Sequence, residues 1–450
     1  MDLNTIIQSA IGFRFLHKDS TYYFYPDTAS FLSVDQATSD LLSILSTPVS
    51  VASILSLMSS KHSLSHDEIL NAIKEMKKNG ILRANPEKIP ERAARRMRTP
   101  KSPKTVSIHI TDRCSLRCIY CMNAHERDTN SKQELSSDEW SLIFQDLQKN
   151  GVEEICLSGG EPLLRNDIET LILNAIDCGL TVSVITNGTL FDRIPISTFK
   201  KNVKITVSLD SAVQEENDYS RGEGAYIKTL RFMDILENNS ISFGINMVLT
   251  TVSIESFFDS ARFLFNKYNY LGSISPIPQE CSEDRHEISK CTNSQYEVFL
   301  DNLLDHALQK DDGGLRINRS LINTLSLKRG CGVARLECML GPDGSIYPCR
   351  ALYSDQYKGT QLDGDNFKTV WTSDSILTRL READDNRAST CANTGCYFWK
   401  ICAGGCFAQS YKVLDNSDSL MSDNCFREIA RVKRKIVYAL EKAGRQSVAD

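Results

Sequence analysis

The sequence predicts an α/β chain: a partial (β/α)6 TIM-like barrel, preceded by a winged-helix-like α+β module and followed by a cysteine-rich domain. Three observations carry this reading. Between residues 105 and 310, six β-rich runs ("TVSIHIT", "EEICLSGG", "TVSVITNGT", "KITVSLD", "SFGINMVLT", "LGSISPIP") alternate with helix-patterned segments, the signature of parallel βα units. The first 90 residues carry a different pattern, two short strands and three helices. The fifteen cysteines of the 450-residue chain are unevenly placed, three of them in "CSLRCIYC" and most of the rest beyond residue 330. A chain of this length is too long for one ordinary core, so two or three domains are expected.

In residues 1–90, "GFRFLHKD" and "TYYFYPDT" read as strands, and "DQATSDLLSILSTP", "SVASILSLMSSKH" and "SHDEILNAIKEMKKNG" as helices. The last is the best marked: Ser65 and Glu68 form a capping box, Ile69, Ala72, Ile73 and Met76 share a face, and Gly80 follows the C-terminal lysines. A "GILR" return completes a winged-helix outline, which a plain folding extension would equally produce. Residues 91–104, with Arg92, Arg95, Arg96, Arg98, Lys101, Lys104, Pro100 and Pro103, read as a solvated linker.

A net charge of -5 gives no basic field for nucleic acid. The N-terminus lacks the pattern of a signal peptide, and nowhere do eighteen apolar residues run together, so a cytoplasmic protein without membrane or nucleic-acid partners is expected. In that reducing compartment, an odd and large number of thiols points to metal binding or redox chemistry rather than disulfides.

The barrel is expected over 105–310, with functional residues at the C-terminal ends of its strands. Past it the alternation stops. "ECMLGPDGSIYPC" reads as a hairpin with Pro342 and Asp343 at the centre of the turn; pairing Leu340 with Ser345 would put Cys338 on the same sheet face as Cys349. Cys156, within a strand, and Cys178, within a helix, read as small core hydrophobes. Cys281 and Cys291 fall in a polar loop near the expected barrel mouth.

Cys114, Cys118 and Cys121 follow directly on the first barrel strand. With His125 nearby they would suit zinc. Alone, three thiolates hold a 4Fe-4S group by three corners and leave the fourth iron open to another ligand. Here the sequence resembles a known family: C-x3-C-x2-C with Tyr120 before the last cysteine is similar to the signature of radical S-adenosylmethionine (SAM) enzymes. "LSGGEP" (Gly159, Gly160, Glu161, Pro162), "ITNGT", "VSLD" and "SRGEG" follow in the family's order. The resemblance implies SAM contacts from the glycines and Glu161, from Asn187 and Ser208, and from Arg221 to the methionine carboxylate.

Cys331, Cys349, Cys391, Cys396, Cys402, Cys406 and Cys425 resemble the seven-cysteine SPASM domain, expected over 311–450; Gly344 matches its internal glycine. The spacing between Cys391 and Cys396 is longer than the family's usual C-x2-C, and a structural zinc site is the alternative. The resemblance implies two auxiliary 4Fe-4S clusters, one on Cys391, Cys396, Cys402 and Cys425 and one on Cys331, Cys349 and Cys406. For a fourth ligand of the latter, Cys338 is the geometric candidate, with an open site or a substrate thiol as alternatives. Residues 1–90 resemble in pattern the PqqD-like element that binds leader peptides, and 91–104 is the linker.

Together these resemblances imply an oxidoreductase that modifies a ribosomally made precursor peptide through a 5'-deoxyadenosyl radical, served by an electron donor such as flavodoxin or ferredoxin. A thioether or another intramolecular crosslink, as in subtilosin-type maturases, is the leading expectation. Epimerisation and sulfatase maturation are alternatives, the latter disfavoured because Arg350 stands where those enzymes carry an Asp. The alternative of another class is a non-catalytic iron-sulfur redox sensor or peptide-binding adaptor.

Overall fold

A computed structural model describes residues 3, 5–10, 12–25, 30–83, 99–124, 133–279, 290–309, 314–319, 321–322, 331–393, 396–402, 404–408 and 423–446. His125, Cys281 and the basic run from Arg92 to Arg98 lie outside these residues.

Six parallel strands follow one another in sequence order: β7 (Thr105–Thr111), β8 (Glu154–Gly159), β9 (Thr181–Thr186), β10 (Lys204–Ser208), β11 (Phe243–Leu249) and β12 (Leu271–Pro278). Their outer faces supply the core. Val106, Ile108, Ile155, Leu157, Val182, Val184, Ile205 and Val207 pack with the apolar stripes of Ser137–Lys149, Ile168–Asp177 and Ala225–Asn238. The alternate positions point the other way: Ser107, Cys156 and Ser183 are register neighbours, as are Thr206 with Gly244 and Ser208 with Asn246. The interior face of the partial barrel therefore carries hydroxyls, an amide and a thiol, together with His109, Ile185 and Val248, which share it by strand alternation. This corrects the expectation for Cys156, whose strand position is inward-facing and only partly buried. Cys178 is also only partly buried, at the end of Ile168–Asp177.

The sheet is longer than six strands. Glu337–Leu340 (β13) adds parallel to β7 and turns back through a hairpin to Ile346–Tyr347 (β14). The turn is where the sequence places it, with Gly344 N–H donating to Gly341 O at 2.9 Å, but Gly344 (φ +77°) forms a left-handed bulge and Gly341 N–H pairs with Ser345 O. Leu340 then opposes Ile346, and Met339 opposes Tyr347. This one-residue slip inverts the expected faces. Cys338 packs into the main core with Leu340 and Ile346, while Cys331, Cys349 and Cys406 border a separate cluster around Phe407 and Leu380.

The N-terminal unit contains the strands and helices expected: β2 (Phe13–His17), β3 (Ser20–Tyr25), Gln36–Ile44, Val51–His62 and His66–Lys78, the last with its Ser65/Glu68 capping box formed. Three further strands, β1 (Ile6–Ser9), β4 (Ser30–Val34) and β5 (Val49–Ser50), build two small sheets, β5-β1-β6 with β6 (Leu82–Arg83), and β2-β3-β4. The run "TYYFY" is buried on both faces. Tyr23 and Tyr25 face the unit's own helices, while Tyr22 and Phe24 join the main core, where Phe24 stacks on Phe398 at 5.7 Å. Asn293–Leu308 and the C-terminal helix Asp423–Gln446 complete this junction, with Arg434 bidentate on Asp301 at 2.9 and 2.8 Å. No described helix is long and apolar enough to cross a membrane.

Candidate functional site

The loop bearing Cys114, Cys118 and Cys121 leaves the C-terminal end of β7 and is clamped from below. Thr111 O and Arg113 O accept from the backbone N–H groups of Gly160 and Glu161, each at 2.8 Å, and Arg113 forms a two-pronged pair with Glu134. A Cβ on Gly159 would stand 2.2 Å from Thr111 O, and one on Gly160 2.1 Å from Arg113 O. The glycines of "GGEP" are thus required by the close approach of the cysteine loop itself, where the sequence reading had assigned the approach to a ligand. Pro162 is buried in the tight turn that follows.

Glu161 is buried, and its carboxylate accepts from Leu163 N–H (3.0 Å), Thr186 Oγ1 (2.6 Å) and Asn187 N–H (2.7 Å). Burial, against these donors, raises its pKa to about 6. The carboxylate ties the ends of β8 and β9 together. Asn187 in turn reaches the cysteine loop, its amide 3.3 Å from Ser115 Oγ and 3.9 Å from Cys114 Sγ. Ser208 is half-buried on the inner face beside Asn246.

Asp210, just past the end of β10, accepts from Tyr120 Oη (2.6 Å), Arg221 Nη2 (2.9 Å) and Val248 N–H (3.2 Å). Burial opposes the Arg221 charge, but Asp210 outweighs it and holds the guanidinium more firmly protonated than in water. Its Nε is buried with no hydrogen-bond partner, and its guanidinium carbon lies 5.8 Å from the Tyr120 ring. Tyr120 is half-buried at this network, and burial together with the network raises its pKa. Asp210 was not singled out from the sequence, although it ends the quoted "VSLD"; Asp112, Asn123 and Glu134 were likewise missed.

Burial pushes the Cys118 thiol up to about 12, with Asp210, Cys121 and Cys114 raising it further and Arg221 pulling it down. The three thiols are therefore close enough to act on one another. Among the described residues no group of three or more His, Cys, Asp or Glu is set to hold a single metal ion. The donor set fits a SAM-ligated 4Fe-4S group: three soft thiols and, beside them, a buried guanidinium whose Nε has no hydrogen-bond partner among the described residues. Thiols this desolvated ionise when a metal group binds them.

The C-terminal thiols fall into two neighbourhoods. Cys331 hydrogen-bonds with Cys406, which together with Phe407 N–H lowers it to about 7, whereas burial raises Cys349 to about 12 with Cys331 among its neighbours. Cys391 and Cys396 are both raised by burial, with Cys425 close to each. Cys402 ends the short helix Trp399–Cys402 and packs against the main core, as Cys396 does. Cys338, raised by burial, has Glu337 and Arg381 as its charged neighbours. Cys291, expected in a loop at the mouth, is buried in the core.

Residues 108–264 match the model of the Radical SAM superfamily. The matched stretch runs from β7 through β11. Curated relatives include the mycofactocin maturase MftC of Mycolicibacterium smegmatis, 26% identical over 321 residues, covering 69% of this chain and 79% of that protein. An AdoMet-dependent heme synthase of Methanosarcina barkeri is 24% identical, covering 69% and 93%. A PqqA peptide cyclase of Bradyrhizobium diazoefficiens is 26% identical, covering 69% and 82%. Among solved structures, SuiB of Streptococcus suis bound to S-adenosylmethionine matches with a TM-score of 0.58 at 19% identity, covering 92% of this chain and 99% of that one. SuiB bound to its precursor peptide SuiA matches at 0.55 and 16% identity, covering 93% and 98%. At these identities the likeness to SuiB is one of fold; it spans 92% of this chain, against 69% for the curated relatives.

Proposed function

We propose that the chain is a radical SAM enzyme that modifies a ribosomally made precursor peptide, with Cys114, Cys118 and Cys121 holding the SAM-binding 4Fe-4S cluster. The observation that carries this reading is the meeting, at the C-terminal strand ends, of Cys118 and the two thiols that act on it with a buried Arg221 whose Nε has no hydrogen-bond partner among the described residues. Arg221 is placed to receive the carboxylate of SAM, and Asp210 fixes the guanidinium that does so. Glu161, whose oxygens are occupied by protein donors, acts here as a positioning residue, leaving backbone groups of the "GGEP" turn to meet SAM. Tyr120 and Asn187 hold the loop. When bound, cluster and SAM supply one-electron cleavage to a 5'-deoxyadenosyl radical that removes a hydrogen atom from the substrate.

The peptide substrate is supported by what the relatives are named for and by the lining of the barrel. A tetrapyrrole, the kind of product the archaeal relative is named for, calls for a broad apolar slot. The inward positions Ser107, Ser158, Ser183, Thr206, Ser208 and Asn246 offer short hydrogen-bonding groups, which suit an extended backbone, beside the apolar Ile185 and Val248. The C-terminal thiols are read as a SPASM domain with two auxiliary clusters, on Cys391, Cys396, Cys402 and Cys425 and on Cys331, Cys349 and Cys406. With Cys338 turned into the core, the second set has three thiols, and a substrate thiol would take the remaining position. That favours a thioether as the bond formed. The N-terminal unit, residues 1–90, is read as the leader-binding element, the leader adding a strand to a free sheet edge, and a flavodoxin or ferredoxin as the electron donor.

Anaerobic reconstitution with iron and sulfide, followed by SAM and a strong reductant, should yield 5'-deoxyadenosine. Its absence from protein carrying ~12 irons per chain, the complement of three 4Fe-4S clusters, would overturn the reading. Co-expression with a neighbouring short open reading frame should give a peptide lighter by two hydrogens.

A further inference from the structure

At the end of the barrel strands opposite the cysteine loop lies a cavity of about 550 Å³. Its floor is the row Ser107, Cys156 and Ser183, adjacent on three paired strands; its far wall is Glu337, Arg350 and Cys331 from the C-terminal region. Three residues separate Cys156 from Gly159, so the floor sits about 10 Å along the strand from the SAM-facing end. Buried His109 and Ser158 stand on the same face between the two levels.

The charges in this cavity are unevenly committed. Glu154 at the rim is paired with Lys204 at 2.7 Å. Arg350 is exposed to the cavity and, among the described residues, makes no side-chain hydrogen bond and no ion pair within 4.0 Å. Glu337 likewise makes no side-chain hydrogen bond and no ion pair within 4.0 Å among the described residues, but it stands close enough to Arg350 for the two charges to act on one another. A guanidinium left open beside hydroxyls presents a planar fork of donors, whose best complement is a carboxylate.

We propose that this cavity is a substrate subsite that reads an acidic residue of the peptide, Arg350 binding its carboxylate in two-pronged fashion while Glu337 accepts from a backbone N–H of the same residue. The inference rests on the peptide-modifying reading above and names a feature of the substrate: an Asp or Glu side chain held beside Cys331, about three residues' length from the reacting end of the barrel.

The test uses the full-length reconstituted protein with SAM and two capped peptides, acetyl-Gly-Ser-Glu-Ser-Gly-amide and its Gln counterpart, titrated by calorimetry. The Glu peptide should bind at least about tenfold more tightly, the discrimination expected of charge-assisted hydrogen bonds. Arg350→Gln should bring the two affinities together, and Arg350→Lys, which keeps charge but loses the fork, should restore part of the difference. Equal affinities in the unaltered protein, no binding of either peptide at 5 mM, or discrimination that survives Arg350→Gln would each overturn the proposal. The comparison in the unaltered protein stands even if Arg350→Gln fails to fold. Formation of 5'-deoxyadenosine by the unaltered protein is the separate measurement: a protein that cleaves SAM yet binds both peptides alike loses the subsite and keeps the enzyme reading.

Discussion

Tyr353 Oη lies 2.8 Å from both carboxylate oxygens of Asp112, a buried link between residues 241 positions apart in the chain. Asp112 opens the loop that carries Cys114, and Tyr353 closes the turn that follows Cys349. The rings of His109 and Tyr347 each stand edge-on to Tyr353 at 4.7 Å. The first thiol loop and the C-terminal thiols are thereby braced by one hydroxyl. Tyr353→Phe keeps the ring and removes the brace, at a cost of about 1–3 kcal/mol. Thermal unfolding should shift downward, and iron should leave the reconstituted protein faster on gel filtration. An unchanged melt and unchanged iron retention would mean the link carries no load.

The three thiols of the first loop should be separable from the other seven. Replacing Cys114, Cys118 or Cys121 by Ala should abolish 5'-deoxyadenosine formation and lower bound iron from ~12 to ~8 per chain, the loss of one 4Fe-4S group. Loss of all iron, or survival of SAM cleavage in any of the three, would contradict the separation of the sites.

Glu161 makes stability depend on pH in a defined direction. Its folded pKa of about 6 lies above the ordinary 4.5, because burial outweighs the donors around it. Between those values the folded chain holds a proton that the unfolded chain has released, so stability falls as pH rises through the window and is level above it. The span is about 2 kcal/mol. Denaturant unfolding at pH 4.5, 5.5, 6.5 and 7.5 measures it. Glu161→Gln cannot titrate, so the stability difference between unaltered protein and variant should shrink with pH by that amount. A difference that stays flat across the series would show that the donors from Thr186, Asn187 and Leu163 already hold the carboxylate charged in acid.

What could be read from residues alone follows from the length scale of each signal. The six barrel strands and their helices repeat their apolar period over long windows, and the helix His66–Lys78 carries its own caps, so local pattern suffices. Strands β1 and β5 span four and two residues and exist only because distant segments pair, Ile6 with Ser50 and Gln8 with Arg83. No window of sequence contains that information. The hairpin failed for a different reason: its turn was legible in "GPDG", but whether Gly344 belongs to the turn or to the strand as a bulge decides the register, and with it the face of Cys338. Cys156 was misjudged because a strand lined with serines on one side reads as an ordinary half-buried strand until the barrel encloses that side. In the candidate site, Cys114, Cys118, Cys121, Asn187 and Arg221 were found by motif. Asp210 and Asp112 were not, since they act on other protein groups.

The slipped register predicts that Cys338 is dispensable to metal binding. Its side chain is fully enclosed with Leu340 and Ile346, and the charged groups acting on it are Glu337 and Arg381. Cys338→Val exchanges a small buried thiol for an aliphatic group and should leave the iron content at ~12 per chain. A loss of about four irons, with the far-ultraviolet circular dichroism unchanged, would return Cys338 to the ligand set.

The N-terminal unit should be coupled to the Cys391–Cys425 neighbourhood through Phe24. Phe24 is completely buried and stacks almost parallel on Phe398, at 5.7 Å and 4°, while Phe13 meets the same ring edge-on at 4.8 Å. Phe398 lies two residues after Cys396, so the aromatic cluster joins the small sheet to a thiol-bearing loop. Removing the ring in Phe24→Ala deletes about 3–5 kcal/mol of packing, most of it at the junction because Phe24 faces the main core rather than its own unit. The chain offers trypsin Lys88, Arg92, Arg95, Arg96 and Arg98 between the N-terminal unit and the barrel. Cleavage there should accelerate at least tenfold in Phe24→Ala, since an undocked unit leaves the connection open to the protease for a larger share of the time. Phe24→Leu, which keeps most of the volume, should fall between. Equal cleavage rates in all three proteins would place the docking energy elsewhere, on the Arg434–Asp301 pair and its neighbours.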